Sequence, residues 1–209
     1  MKMLSTLAVP ALLIAALTTS PALTQTAVPG SPNPAAVQAG EYSVEPSHTR
    51  VSFAVLHMGF NDWFGDLTGA SGSLTLEPHR GTASRVDVTL PVASISTTNT
   101  KLDAELKSGD WFDAERYPTI HFVSTQVFKT SARTAKITGD LTLHGVTRPV
   151  VLEAQFVGAG LNPFSKAYTV GFHATTTIKR SDFGVKTYVP LIGDSVAIKI
   201  SAAFERKAN

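Results

Sequence analysis

The chain has 209 residues, of which 43% are hydrophobic and only 16% are charged, and it contains no cysteine. This composition excludes a highly charged disordered protein, a disulfide scaffold, cysteine-ligated metal sites and thiol catalysis. The formal net charge of +2 is too small to predict a phosphate-binding surface, so nucleic acid is not an expected partner.

The N-terminus has the pattern of a secretory signal. Lys2 precedes an apolar stretch over residues 7–17, which is too short for a transmembrane helix of about 20 residues. We therefore expect residues 1–22 to be a cleaved signal peptide and the mature chain to be exported and free of the membrane. Residues 23–40 contain Pro29, Pro32 and Pro34 without an apolar period, which predicts a proline-rich extended linker.

From residue 41 the apolar residues alternate with polar ones, which predicts strands with one buried face. The clearest run places Val51, Phe53, Val55 and His57 on the same face. Similar runs recur to the end of the chain, with turn signals that include residues 144–149 and 158–163. We predict about eight or nine strands in an antiparallel meander, within a single domain over residues 41–206.

One segment departs from the strand pattern and predicts a short helix. Residues 101–107 are rich in helix formers, and Leu102 and Leu106 form an apolar pair one turn apart. Thr98, Asn99 and Thr100 are the candidate N-caps.

The apolar faces of the strands can meet in a closed barrel or in a two-sheet sandwich, and the pattern does not choose between them. A barrel of about eight strands is just wide enough to be filled by its own side chains or to hold one small ligand. The aromatic residues are ambiguous in the same way, because core and pocket lining look alike in a sequence.

No pattern of catalytic or metal-binding residues stands out. The histidines lack the spacing of a metal site and are predicted to be scattered: His48, His57, His79, His121, His144 and His173. A Gly-x-Ser-x-Gly elbow is absent as well. We therefore predict no catalytic residue and no metal site.

Several separated motifs resemble those of the YceI-like family. They are Ser47-His48-Thr49, Ser94-Ile95-Ser96-Thr97, Asp110-Trp111-Phe112-Asp113, Gly139 to Val150, and Arg180-Ser181-Asp182-Phe183-Gly184. The resemblance runs from Glu41 to Glu205 in the family's order. Two positions depart from it: Glu105 stands where a helix histidine is frequent, and Trp111 stands where phenylalanine is usual.

The resemblance implies an all-β protein with a lipocalin-like, antiparallel eight-stranded barrel and one short helix. It also implies a periplasmic or secreted, non-enzymatic binding protein that holds a polyisoprenoid or similar amphiphilic lipid. Because the bilayer interior is as apolar as such a barrel, we expect carriage or buffering rather than permanent storage. The expected ligand is an isoprenoid or quinone-like lipid rather than a catalytic cofactor, and transient membrane contact is a further expectation.

Candidate site residues follow from the strand faces, the helix pair and the aromatic clusters. The candidates for lining the ligand site are Phe53, Val55, His57, Trp63, Phe64, Leu102, Leu106, Trp111, Phe112, Phe122, Leu141, Phe172 and Phe183. Eight of them are expected to face one interior space: Phe53, Val55, Leu102, Leu106, Trp111, Phe122, Leu141 and Phe172. The headgroup candidates are His48, His57, Arg180 and Ser181, although the segment from Arg180 to Gly184 has an equally weighted structural interpretation.

Two other functions stay open at this point. The chain could be an interaction or inhibitory module that contacts another envelope protein through its loops without a lipid. An esterase-like or metal-assisted enzyme has the least support. The lipid content of the purified protein distinguishes the first of these from a carrier.

Overall fold

The computed structural model describes residues 28–207, so the predicted signal peptide and the first part of the predicted linker lie outside the described residues. The described chain contains one α-helix, α1 (Thr100–Lys107), and a ten-stranded antiparallel sheet. The strands are β1 (Gly40–Val44), β2 (Arg50–His57), β3 (Asn61–Leu67), β4 (Ser71–Leu76), β5 (Arg85–Pro91), β6 (Thr119–Lys129), β7 (Thr134–Leu143), β8 (Val146–Leu161), β9 (Tyr168–Lys179) and β10 (Ile192–Arg206).

The sheet closes on itself as an eight-stranded barrel. Strands β4 to β10 pair in sequence order, and β1 pairs with both β4 and β10. Strands β1 and β2 lie end to end along the same edge of β10, and β3 and β4 together form the next position in the wall. Two interrupted positions therefore account for ten strands in an eight-position barrel. This confirms the eight-stranded antiparallel barrel that the resemblance implied and decides between the barrel and the sandwich that the residue pattern had left open.

The register confirms the predicted strand faces. Val51, Phe53 and Val55 of β2 pair with Ile200, Ile198 and Val196 of β10. Directly paired residues project from the same face of a sheet, so these apolar side chains share the inside of the barrel.

The predicted helix is confirmed, and its cap is resolved. The Asn99 side chain accepts hydrogen bonds from the backbone N–H groups of Lys101 and Leu102 at 3.1 and 3.3 Å. Leu106 is buried and Leu102 packs beside it against the apolar core. The helix therefore covers the barrel end where β5 leads into β6.

The predicted turn over residues 158–163 is wrong in its first half, because β8 continues to Leu161. Gly158 and Gly160 instead make room for the N-terminal segment, in which Ser31 exchanges two backbone hydrogen bonds with Ala159. A Cβ atom on Gly160 would lie 2.2 Å from the carbonyl oxygen of Pro29. Glycine occurs at these two positions because another backbone segment passes close to the strand, and not because the chain turns there. The predicted turn at 144–149 is shorter too, since β8 begins at Val146.

The described part of the predicted linker is attached to the barrel. Its residues 34–36 form a short 3₁₀ turn. The Tyr168 hydroxyl donates to the Ala36 carbonyl, and the Tyr42 hydroxyl donates to the Gln38 carbonyl at 2.7 Å. Ala36 and Val37 pack against the core. This segment therefore forms part of the barrel end rather than a free tether.

The alternating connections give the barrel two different ends. The mouth end comprises the turns 77–84, 130–133 and 162–167 together with residues 28–39. The helix end comprises the β2–β3 turn, α1 and residues 180–191. Across residues 28–207, no helix is long and apolar enough to cross a lipid bilayer.

Candidate functional site

A largely apolar cavity of about 290 Å³ runs into the barrel from its mouth end. It extends from the turn residues Pro78 and Ala132 to Ile120, Leu141 and Ile198 deeper inside. This volume lies at the lower limit of the roughly 300–1,000 Å³ that is usual for small-molecule sites. The barrel is therefore hollow over part of its length.

The space arises from a row of small side chains. Ala135 of β7 pairs with Ala154 of β8, which pairs in turn with Ala174 of β9, and all three residues line the cavity. Ala154 and Ala174 are each only 9% exposed. Three neighbouring strands thus direct methyl groups into the interior at one level, so their side chains cannot fill it.

Three of the predicted lining residues, Phe122, Leu141 and Phe172, line this cavity. Phe172 makes edge-to-face contacts with Phe156 and Phe204, at ring-centroid distances of 5.9 and 6.3 Å. Phe156 and Phe204 also line the cavity. Such aromatic pairs fix the ring orientations, so one side of the cavity has a defined apolar surface.

A second group of predicted residues packs at the helix end instead. Leu106, Trp111 and Phe183 are buried, and Leu102 and Phe112 pack partly buried against the apolar clusters there. None of the five lines the mouth-end cavity. Their side chains close the helix end of the barrel.

The remaining predicted residues lie around β3. Phe53, Trp63 and Phe64 line a shallow, more polar groove of about 490 Å³ between β3 and residues 96–99. The rings of His57 and Trp63 pack edge to face, with their centroids 5.5 Å apart. Val55 of β2 is the direct partner of Trp63 on β3. Phe64 points to the outside and is 65% exposed. The thirteen predicted lining residues therefore do not converge on one space.

Arg180 and Ser181, predicted as headgroup candidates, lie at the helix end. Arg180 is only 6% exposed and donates to the backbone carbonyls of Gly193, Val185 and Ile192 at 2.9, 3.1 and 2.8 Å. Its guanidinium also lies 5.3 Å from the ring centroid of Trp111. All three guanidinium nitrogens thus donate to backbone carbonyls that hold the β9–β10 connection.

The carboxylate of Asp194 also holds this connection. The Ser181 backbone N–H and hydroxyl donate to Asp194 at 2.9 and 2.8 Å. These hydrogen bonds, with the nearby charge of Arg180, hold the pKa of Asp194 below its ordinary value. Gly184 ends the short 3₁₀ turn at a φ of +84°, in the left-handed region that glycine adopts without strain. The geometry here favours the structural interpretation of the motif.

The last headgroup candidate, His48, lies in the loop between β1 and β2. Its side chain is 77% exposed and pairs with Glu45 at 2.6 Å. The adjacent Thr49 is buried and lines the cavity, where it exchanges hydrogen bonds with the backbone of Ala203. Thr49, and not His48, is therefore the polar residue of this loop that faces the cavity.

The polar residues at the cavity opening were missed from the sequence. Glu77, Arg85, Lys129 and Arg133 all line it. Lys129 donates to the Pro78 carbonyl at 3.3 Å, which links β6 to the β4–β5 turn. A signal for them existed, because alternate turns of an antiparallel meander lie at the same end, and these residues flank such turns.

Histidines and acids are dispersed over the part of the chain that the structure describes. Residues 28–207 contain no group of three or more histidine, aspartate or glutamate side chains that could hold a metal ion. On the barrel wall, the Nε2 atom of His121 lies 2.8 Å from a carboxylate oxygen of Asp87, which makes a histidine–carboxylate pair.

Residues 42–204 match the family model of the YceI-like domain. The chain belongs to the YceI-like domain family. The match includes all or most of each strand of the barrel and nearly all of the residues that line its cavity.

Relatives of this YceI-like domain occur in several bacteria. A UPF0312 protein of Pseudomonas syringae pv. tomato is 39% identical over 142 residues, which span 68% of this chain and 73% of that protein. The crystal structure of Burkholderia cenocepacia BcnA has a TM-score of 0.69 at 25% identity and covers 77% of this chain and 98% of its own. A polyisoprenoid binding domain from Saccharophagus degradans shares the fold, with a TM-score of 0.60 at 12% identity, covering 81% of this chain and 100% of its own.

Proposed function

We propose that this YceI-like domain binds the hydrocarbon tail of a polyisoprenoid or a similar amphiphilic lipid inside its barrel, without catalysing a reaction. The observation that carries the proposal is the apolar cavity kept open by Ala135, Ala154 and Ala174. The Saccharophagus degradans domain of the same fold is described as polyisoprenoid binding, which is consistent with this ligand class.

The cavity geometry orients the proposed ligand. Its deep part is lined by Ile120, Leu141 and Ile198, whereas its opening carries Glu77 and Lys129. Apolar atoms gain about 25 cal/mol per Å² when they leave water, and ionised groups lose strongly when they do. The tail therefore lies inward, and the polar headgroup lies at the mouth end.

Energetics favour carriage or buffering over permanent storage. Burial stabilises a hydrocarbon tail by about 0.8 kcal/mol per CH₂ relative to water, so a few isoprene units contribute more than about 10 kcal/mol. The competing environment in a cell envelope is the bilayer interior, which is equally apolar. The net preference for the protein is then small, and the lipid exchanges with membranes. We propose the periplasm as the compartment where this takes place.

Organic extraction of the mature protein purified from a bacterial periplasm, followed by mass spectrometry, tests the proposal. We expect about one prenyl lipid per chain. A clean extract together with a specific co-purifying protein would contradict it and favour the loop-mediated interaction module. Turnover of model esters that is lost on chelation would contradict the non-enzymatic part.

A further inference from the structure

Basic side chains gather at the mouth end, although the net charge of the chain is only +2. The exposed basic residues at this end are Arg80, Arg85, Lys129, Arg133, Lys166 and Lys207. The acidic residues there are Glu41, Glu77 and Glu205, and Glu77 already faces Arg80 at 3.9 Å. Positive charge therefore exceeds negative charge around the cavity opening.

The helix end lacks this excess. Helix α1 and the residues after it contain Asp103, Glu105, Asp110, Asp113 and Glu115. The basic residues of the same segment are Lys101, Lys107 and Arg116. Residues 180–191, at the same end, add Arg180 and Lys186 on the basic side and Asp182 on the acidic side, so acids still at least balance bases. Charge is thus separated along the barrel axis, and the opening of the cavity lies at the positive end.

Large apolar side chains stand beside the basic residues at the mouth end. Phe164, in the turn between β8 and β9, is 93% exposed, and Leu161 and Val28 are exposed nearby. Asn162 holds this turn in shape, because its side chain accepts a hydrogen bond from the Phe164 backbone N–H at 2.9 Å. Exposed aromatic and aliphatic residues next to lysine are typical of surfaces that enter the interfacial layer of a bilayer.

The helix end also has exposed apolar residues, among them Met58, Phe60 and Leu191. They lie away from the cavity opening and next to a segment in which acids at least balance bases. Charge complementarity therefore distinguishes the two ends, and it favours the mouth end for an anionic surface.

We propose that the mouth end docks on the surface of an anionic lipid bilayer, with Phe164 at the interface and the basic residues against the lipid headgroups. Lysine and arginine near an anionic membrane attract it through the negative surface potential, within about one Debye length. Docking in this orientation places the opening of the cavity against the membrane. The inference extends the proposed lipid-binding function by naming the face through which a lipid passes.

Co-sedimentation with vesicles tests the docking face. We use the purified protein with phosphatidylcholine vesicles, either pure or containing phosphatidylglycerol, and without any isoprenoid lipid. We expect binding only to the anionic vesicles, decreasing as salt is added. Lys166→Glu/Lys207→Glu should weaken binding by about ten-fold or more, since each basic residue contributes on the order of a kcal/mol. Phe164→Ser should weaken it as well.

Matched controls exist at the helix end. Lys101→Glu/Lys186→Glu makes the same change in charge, and Phe60→Ser removes a phenylalanine that is 86% exposed. Both controls should keep wild-type binding. Equal losses in controls and mouth-end variants, a larger loss with Phe60→Ser, or no binding to anionic vesicles would overturn the docking proposal.

Docking and lipid loading are measured separately. Wild-type docking with an empty organic extract would support the docking face and contradict the proposed function. A protein that carries a prenyl lipid but does not bind anionic vesicles would support the proposed function and contradict the docking face. Circular dichroism of each variant verifies that the barrel is folded.

Discussion

Larger side chains in the cavity wall test whether the barrel interior is hollow or already packed. The double substitution Ala154→Leu/Ala174→Leu places two isobutyl groups in the row of alanines on β8 and β9. Both alanines line the cavity and are 9% exposed, so the added carbons meet the cavity rather than solvent. We expect the variant to lose its lipid and to gain stability.

The magnitude follows from the added apolar burial. Each leucine adds three carbons, and their burial stabilises the fold by about 2 kcal/mol at roughly 0.8 kcal/mol per carbon. Ordering each leucine side chain costs about 0.5–1 kcal/mol in conformational entropy. The double variant should therefore gain about 2–3 kcal/mol when both proteins are free of lipid. If the interior were already packed, overpacking would instead cost about 1–3 kcal/mol at each site.

Urea unfolding of delipidated protein measures this difference. With a urea slope of about 2 kcal/mol per molar, the gain corresponds to a midpoint roughly 1 M higher. Ala197→Leu, on the exposed outer face of β10, is the matched control and should change neither the midpoint nor the lipid content. A destabilised double variant that keeps its full lipid load would refute the assignment of the cavity as the binding site.

Three further outcomes are expected. Arg180→Ala should lower the free energy of unfolding by about 3–5 kcal/mol, because buried carbonyls lose their charged donor. Chemical denaturation measures this, and partial recovery in Arg180→Lys is expected. Lost lipid with unchanged stability would instead support a headgroup role. The pKa of Asp194 is held low in the folded state by hydrogen bonds from Ser181, so its contribution is present above the unfolded pKa of about 3.9 and is lost as pH falls through the folded pKa. In pH-dependent unfolding, Asp194→Asn should therefore differ from wild type at neutral pH and converge with it in acid, whereas a constant difference would argue against this linkage. Gly160→Val should detach the segment around Pro29 and speed release of a fluorescent prenyl lipid, with Gly171→Ala as control. Stopped-flow release and hydrogen exchange of residues 28–38 report it, and unaltered exchange there would show that this contact does not hold the segment.

The local features of this protein could be predicted because they depend on neighbours in the chain. The alternation in β2 assigned Val51, Phe53 and Val55 to one face, and Asn99 was among the predicted caps of α1. Both depend on residues a few positions apart.

The candidate site could be predicted only in part, because a strand face does not reveal what fills the space opposite it. Phe122, Leu141 and Phe172 line the cavity, whereas Trp111 and Phe183 belong to the packing at the helix end. All five are large apolar residues with similar sequence surroundings. Their difference depends on position along the barrel axis.

The strand faces, the helix with its candidate caps, and the family motifs could all be read from the chain without its fold. Three features required the folded molecule: the closure of the sheet, the adjacency of Ala135, Ala154 and Ala174, and the packing of the segment from Ser31 onward on the barrel. These three features depend on strand register. Alternation fixes which face a side chain occupies, but long-range backbone pairing alone sets which residues of separate strands become neighbours, and with them where the barrel is left hollow.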